Sequence, residues 1–197
     1  MRYLAKLCFG APRLNRLHRF RGDAGGVAAI EFAMVVPLMI AMFIGAVEFS
    51  QAITVDRRVS QVASSTADLI ARTKTMDTTD MNGVMQVVAE LMKPYDAAPM
   101  KLTVLNVAAS PSNVTDTRVC WSHPHNGGVG TYSSGDPYTL PPGVVEAGDS
   151  VIVAEVAYAY TPLIFNHYIT SVRDLTETFY LKPRLSSFVK YNNQSCP

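Results

Sequence analysis

Cys120, His123 and His125 are the one local group of metal-ligand side chains in this chain. Thiolate and imidazole are common zinc ligands, but a structural zinc takes four such groups and a catalytic one takes three and a water. No fourth ligand stands nearby, and Pro124 with the glycines after it has turn chemistry, so no metal is assigned. Glu146, Asp149 and Glu155 have no carboxylate partner close in sequence and read as solvated surface. No nucleophile elbow, phosphate loop, His-Glu-x-x-His or dinucleotide fingerprint occurs. The chain is therefore expected to be no enzyme and to carry no cofactor.

A different carboxylate has more to offer. Glu31 lies five residues after Gly26, inside Gly25-Gly26-Val27-Ala28-Ala29-Ile30-Glu31-Phe32, which opens a long apolar run. From Val27 to Ile53 the only charges are Glu31 and Glu48. Residues 27–47 would span roughly 31 Å as a helix, the thickness of a bilayer core. A carboxylate at that depth costs a few kcal/mol and commonly marks function. Taken alone, Glu31 also fits a side chain snorkelling to the near interface, and Glu48 fits a helix-end residue at the far one. Pro37 predicts a kink about ten residues into the helix. A secretory signal is the competing reading of such a run. The length of this one, and the poor cleavage site in Glu48-Phe49-Ser50-Gln51-Ala52, predict a retained helix.

The charge distribution orients it. Residues 1–26 hold six Lys/Arg against one Asp, a net of +5; the remainder holds eleven bases against fifteen acids, a net of −4. A basic head before an apolar segment stays in the cytoplasm, and the chain beyond the segment crosses. Arg57-Arg58, just past the run, oppose this with two charges against six. The adjoining apolar helix accounts for the basic head better than nucleic-acid binding does. The amphipathic look of Leu4, Leu7, Leu14 and Leu17 also fits an organellar transit peptide.

The elements behind the run are legible from periodicity. Val55, Val59, Val62, Ala63, Ala67, Leu69 and Ile70 predict that the helix continues with one apolar face. Thr79 or Asp80 is the expected cap of a second helix, with Met81, Val84, Met85, Val88, Leu91 and Met92 inward and Pro94 as its stop. Strands are predicted over Lys101–Val107, Arg118–Trp121, Ser150–Tyr160 and Thr176–Leu181. In the third of these, Val151, Val153, Glu155, Ala157 and Ala159 share a face. Residues between Ser122 and Asp149 read as a long loop or hairpin, and 162–172 as a short turn or helix. The fold class is α+β: a long membrane-spanning helix leading into a small domain of a second helix and an antiparallel sheet, a lollipop of helical stalk and small head. The divisions are 1–26, a basic cytoplasmic leader; 27–53, the transmembrane helix; and 54–197, a periplasmic domain. Cys120 and Cys196 fall on the oxidising side as an even pair and are expected to form a disulfide, whereas Cys8 lies in the leader.

The amino-terminal stretch resembles the TadE-like family, minor pseudopilins of the bacterial tight-adherence (Flp, type IVb-like) pilus. The string Arg21-Gly22-Asp23-Ala24-Gly25-Gly26-Val27-Ala28-Ala29-Ile30-Glu31-Phe32-Ala33-Met34-Val35-Val36-Pro37-Leu38 carries the resemblance. Gly45-Ala46-Val47-Glu48-Phe49-Ser50-Gln51 and Arg57-Arg58-Val59-Ser60-Gln61-Val62-Ala63 extend it over about 45 residues. The resemblance implies a prepilin-type peptidase cut after Gly26, with Val27 the new terminus, Glu31 fifth and Phe32 sixth. It implies that Glu31 pairs with the terminal ammonium of a neighbouring subunit, and that Phe32, Pro37 and Glu48 serve recognition and assembly. The implied partners are that peptidase, other pilins and pseudopilins, the inner-membrane assembly platform and the lipid bilayer, with no nucleic acid. The competing functions are an uncleaved, single-pass periplasmic binding protein and a periplasmic enzyme built around Cys120–His125.

Overall fold

The first helix, α1 (Gly25–Ala71), is 47 residues long and contains Pro37. The computed structural model describes residues 25–162, 173–194 and 196 of the chain. The basic head with Cys8, and all but Pro162 of the turn expected at 162–172, lie outside those residues. The chain divides into two compact units, Met1–Val47 and Glu48–Pro197.

In the first unit, the side chains from Val27 to Val47 are exposed or half-buried, Phe32 being 68% exposed. An apolar segment with no polar partners to offer is stable in lipid only as a helix, because a helix satisfies its backbone groups internally. Pro37 lacks the N–H that would bond the Ala33 carbonyl one turn back.

In the second unit, the rest of α1 is amphipathic as expected. Val55, Val59, Val62, Ala63, Ala67 and Ile70 are buried, and each buried Val or Ile contributes roughly 1.5–3 kcal/mol. Leu69, expected on this face, is 36% exposed, because it falls at the margin of the stripe where the buried line passes to Ile70 and Ala71. Thr66 takes a fully buried place instead, its hydroxyl donating to the Val62 carbonyl at 2.7 Å. The helix ends where Thr73 bonds back to the Ile70 carbonyl and the Arg184 N–H takes that of Ala71.

After β1 (Thr75–Met76) comes α2 (Thr78–Leu91). Its cap is Asp77, not Thr79 or Asp80. Asp77 accepts from the Asp80 N–H at 2.8 Å, and the Asp80 carboxylate accepts from the Asp77 N–H at 3.2 Å. This reciprocal pair satisfies two donors that a helix start leaves bare. Met81, Met85, Val88 and Met92 are buried, with Val84 and Leu91 packed at the edge of the core. Arg58 of α1 donates to the Leu91 carbonyl at 3.5 Å, so it serves the end of α2.

The antiparallel sheet has the order β3-β2-β4-β5, formed by β2 (Met100–Ala109), β3 (Thr117–His125), β4 (Ser150–Tyr160) and β5 (Arg173–Leu181). β3 runs four residues beyond the expected Trp121 because β2 continues to pair with it, Leu105 with Ser122 through Leu102 with His125. Pro124 fits there because β3 is an edge strand of the sheet. The last strand, β6 (Lys190–Tyr191), pairs in parallel with β1.

Both faces of the sheet are covered. Ile152, Ala154, Val156, Tyr158 and Tyr160 of β4 join the buried faces of α1 and α2 in one core. Val151 and Val153 join Leu105, Val107 and Val119 in a second cluster, against which Tyr132, Tyr138, Leu140, Val144 and Tyr180 pack. The loop between β3 and β4 thus roofs a sheet face rather than running free in solvent. Its first turn needs left-handed backbone at Asn126, Gly127 and Gly128. At Gly128 a Cβ would stand 2.8 Å from Thr103 Oγ1 and 2.9 Å from Pro124, so only glycine allows that approach.

Candidate functional site

Gly26, Val27, Glu31 and Phe32 lie in the first two turns of α1. A Cβ at Gly26 would meet nothing within 4 Å, so its surroundings are open. Val27 and Glu31 are four residues apart and share one face. The Glu31 carboxylate is exposed, and among the described residues no hydrogen bond or ion pair engages it. The arrangement can do one thing chemically: it presents a carboxylate, on an apolar surface, to a cation supplied from elsewhere.

Glu48 behaves otherwise. Expected near water at the far interface, it is 8% exposed in the second unit. Its charge, after burial, helps to push the Tyr160 phenol up from its ordinary pKa.

Cys120 and Cys196 are bonded, with sulfurs 1.99 Å and Cα atoms 4.4 Å apart across 76 residues. The fully buried Cys120 sulfur is thereby committed. His123 Nδ1 faces the Tyr191 hydroxyl at 3.1 Å, and burial, then the neighbouring His125, lowers its pKa. Among the described residues, no three His, Cys, Asp or Glu side chains gather as metal ligands would.

Two clusters escaped sequence reasoning. Glu155, read as solvated surface, is 8% exposed. Tyr138 donates to its Oε1 at 2.8 Å, and Tyr132 reaches both carboxylate oxygens at 3.0 and 3.1 Å. Burial, then these contacts with Glu155, push Tyr132 up to about 12 and Tyr138 higher still. The available signal was a charge in the middle of an otherwise apolar strand, since a buried charge must find polar partners. Glu146 and Asp149, by contrast, do lie at the surface, both within ion-pair reach of Lys182. The second cluster gathers Tyr95, Tyr158 and Tyr160 around Gln51. Nothing in the sequence joins these four, which come from α1, β4 and the link after α2.

The fold and these sites define an α+β protein built on one helix long and apolar enough to cross a membrane. Residues 26–68 match the family model described as TadE-like protein. That stretch holds Gly26, Glu31, Pro37 and Glu48 and ends within α1; the sheet lies outside it. The match implies involvement in tight-adherence pilus assembly and association with a membrane. No curated protein and no solved structure matches the chain.

Proposed function

We propose that the chain is a structural minor pseudopilin of a tight-adherence pilus and secretion apparatus, with no catalytic activity of its own. In this reading α1 crosses the bacterial inner membrane, the basic head is cytoplasmic and the sheet domain is periplasmic. A prepilin-type peptidase cuts between Gly26 and Val27, and the subunit then associates with other pilins, pseudopilins and the assembly platform. The observation that carries the reading is the exposed Glu31 on the apolar helix surface, one turn from Val27. An ionised carboxylate at membrane depth costs about 3 kcal/mol, and an ammonium from a neighbour's new terminus would relieve that cost while fixing the stagger between helices. The Cys120–Cys196 bond supports placing the domain on the oxidising side.

A second reading is favoured by one feature. The Gly26–Val27 peptide bond lies in the first turn of α1, whereas a peptidase needs extended backbone. That favours an uncleaved, single-pass anchored protein of the same apparatus, although helix ends fray. Intact-mass measurement of the chain extracted from its native membrane separates the two. A terminus at Val27 is expected; a terminus at Met1 in the assembled protein rejects processing.

A further inference from the structure

Gln51 comes four residues after Val47 in α1, so it stands roughly 6 Å along the helix beyond the last residue of the apolar stretch. The headgroup layer of a bilayer is of about that depth on each side. Around Gln51 the second unit opens a cavity of about 260 Å³ lined by Tyr95, Tyr158 and Tyr160. The Tyr95 hydroxyl donates to Gln51 Oε1 at 3.4 Å.

The chemistry of this cavity selects a cation. Three tyrosines line it, and phenol rings are electron-rich groups that attract ammonium. Among the described residues, no Lys or Arg lines the cavity. The charges felt there are negative: Asp96 acts on Tyr158 and Glu48 on Tyr160. Tyr160 is nine-tenths buried, and its hydroxyl has no hydrogen-bond partner among the described residues, a polar demand that buried groups seldom leave unmet. The volume suits a group of a few heavy atoms rather than a peptide.

We infer that the Tyr95–Tyr158–Tyr160 cavity seats the ammonium of a phospholipid headgroup, of the ethanolamine kind, with the phosphate left outside. The inference rests on α1 spanning the membrane, which brings headgroups within reach of Gln51. Tyrosines commonly lie at membrane interfaces as scattered amphipathic rings; here three of them line one concavity. A bound headgroup would hold the domain to the bilayer surface at a point beside the helix.

The test uses the full chain, reconstituted in nanodiscs of equal parts phosphatidylethanolamine and phosphatidylglycerol. The protein is released into detergent and weighed with its retained lipids by native mass spectrometry. Wild type is expected to retain the ethanolamine lipid about fivefold over the glycerol lipid, the effect of a partly desolvated cation–π contact. Tyr95→Phe keeps the ring and should keep the preference. Tyr95→Leu combined with Tyr158→Leu should lose it. Gln51→Lys, which puts a cation at the cavity without cutting into the core, should lose it as well. Equal retention of both lipids by wild type, or an undiminished preference in Gln51→Lys, overturns the inference, as does a protein partner retained in place of lipid. Alkaline washing of the source membranes separates the two levels of failure. A chain washed off overturns the spanning reading; a chain that resists washing yet shows no lipid preference overturns only the headgroup site.

Discussion

The indole N–H of Trp121 donates to the carbonyl of Val189 at 2.7 Å, across 68 residues of chain. The same carbonyl accepts from Asn106 Nδ2 at 3.0 Å. Val189 is fully buried, so this polar atom inside the core is satisfied twice. The contact pins the carboxy-terminal segment to the sheet. Further along, the Lys190 and Asn192 N–H groups bond the carbonyls of Lys74 and Met76. The segment thus straps the strands to the chain that links α1 and α2, and the Cys120–Cys196 bond closes it.

Breaking that bond should loosen the strap without dissolving the fold. By loop-entropy arithmetic a closed loop of this size stabilises by about 4 kcal/mol. Cys196→Ser should therefore lower the urea midpoint of the domain by the equivalent of that amount at most, with Trp121 fluorescence the local reporter. A midpoint unchanged by both the substitution and reductant would show that the thiols are not paired in the native protein.

The roof over the second sheet face should open with alkali. Tyr132 has its pKa raised from 10.0 to about 12 by burial first and by Glu155 second. A phenol that resists ionisation in the fold contributes stability that is fully present below its unfolded value of 10.0 and is lost as pH rises through about 12. Tyr138 acts in the same direction. Urea unfolding across this alkaline window, followed alongside tyrosinate absorbance, should show the domain weakening. Glu155→Gln should move the tyrosinate transition down, though only part of the way to the ordinary value, since burial remains. It should also cost about 1–3 kcal/mol through the lost charged acceptor and speed proteolysis within residues 126–149. An identical titration in Glu155→Gln would remove Glu155 as the roof's anchor.

Two substitutions at the start of α1 address processing and assembly separately. Gly26→Val should leave a longer, membrane-retained precursor, visible as a higher intact mass. Glu31→Ala should be cut nearly as well as wild type and should insert about 3 kcal/mol more favourably, because it removes a charge from lipid. Its incorporation into the assembled apparatus should nevertheless fall sharply. Copurification of partner subunits reads this out, and normal incorporation would argue against charge pairing.

Asp77→Ala should cost about 1 kcal/mol through loss of the capping pair with Asp80. Thermal unfolding of the domain measures it. Thr79→Ala, at a position that the residue pattern favours as a cap, should change stability by much less.

Read alone, the sequence specified the elements whose evidence is local. The uninterrupted apolar run specified one helix able to cross a membrane. The 3.6-residue spacing from Val55 to Ile70 and from Met81 to Met92 specified two amphipathic faces, and Ser150–Tyr160 was legible to the residue. The Val27–Glu31 spacing was likewise readable, because residues about one helical turn apart share a face in any α-helix. Only the folded chain settled which partners distant residues meet. Folding turned Glu155 from a surface acid into the anchor of a loop, buried Glu48, extended β3 through Pro124 and gathered Tyr95, Tyr158 and Tyr160 around Gln51. Those outcomes depend on strand pairing and on burial by chain far away in sequence. Periodicity records which face of an element is apolar, and carries no information about what will cover it.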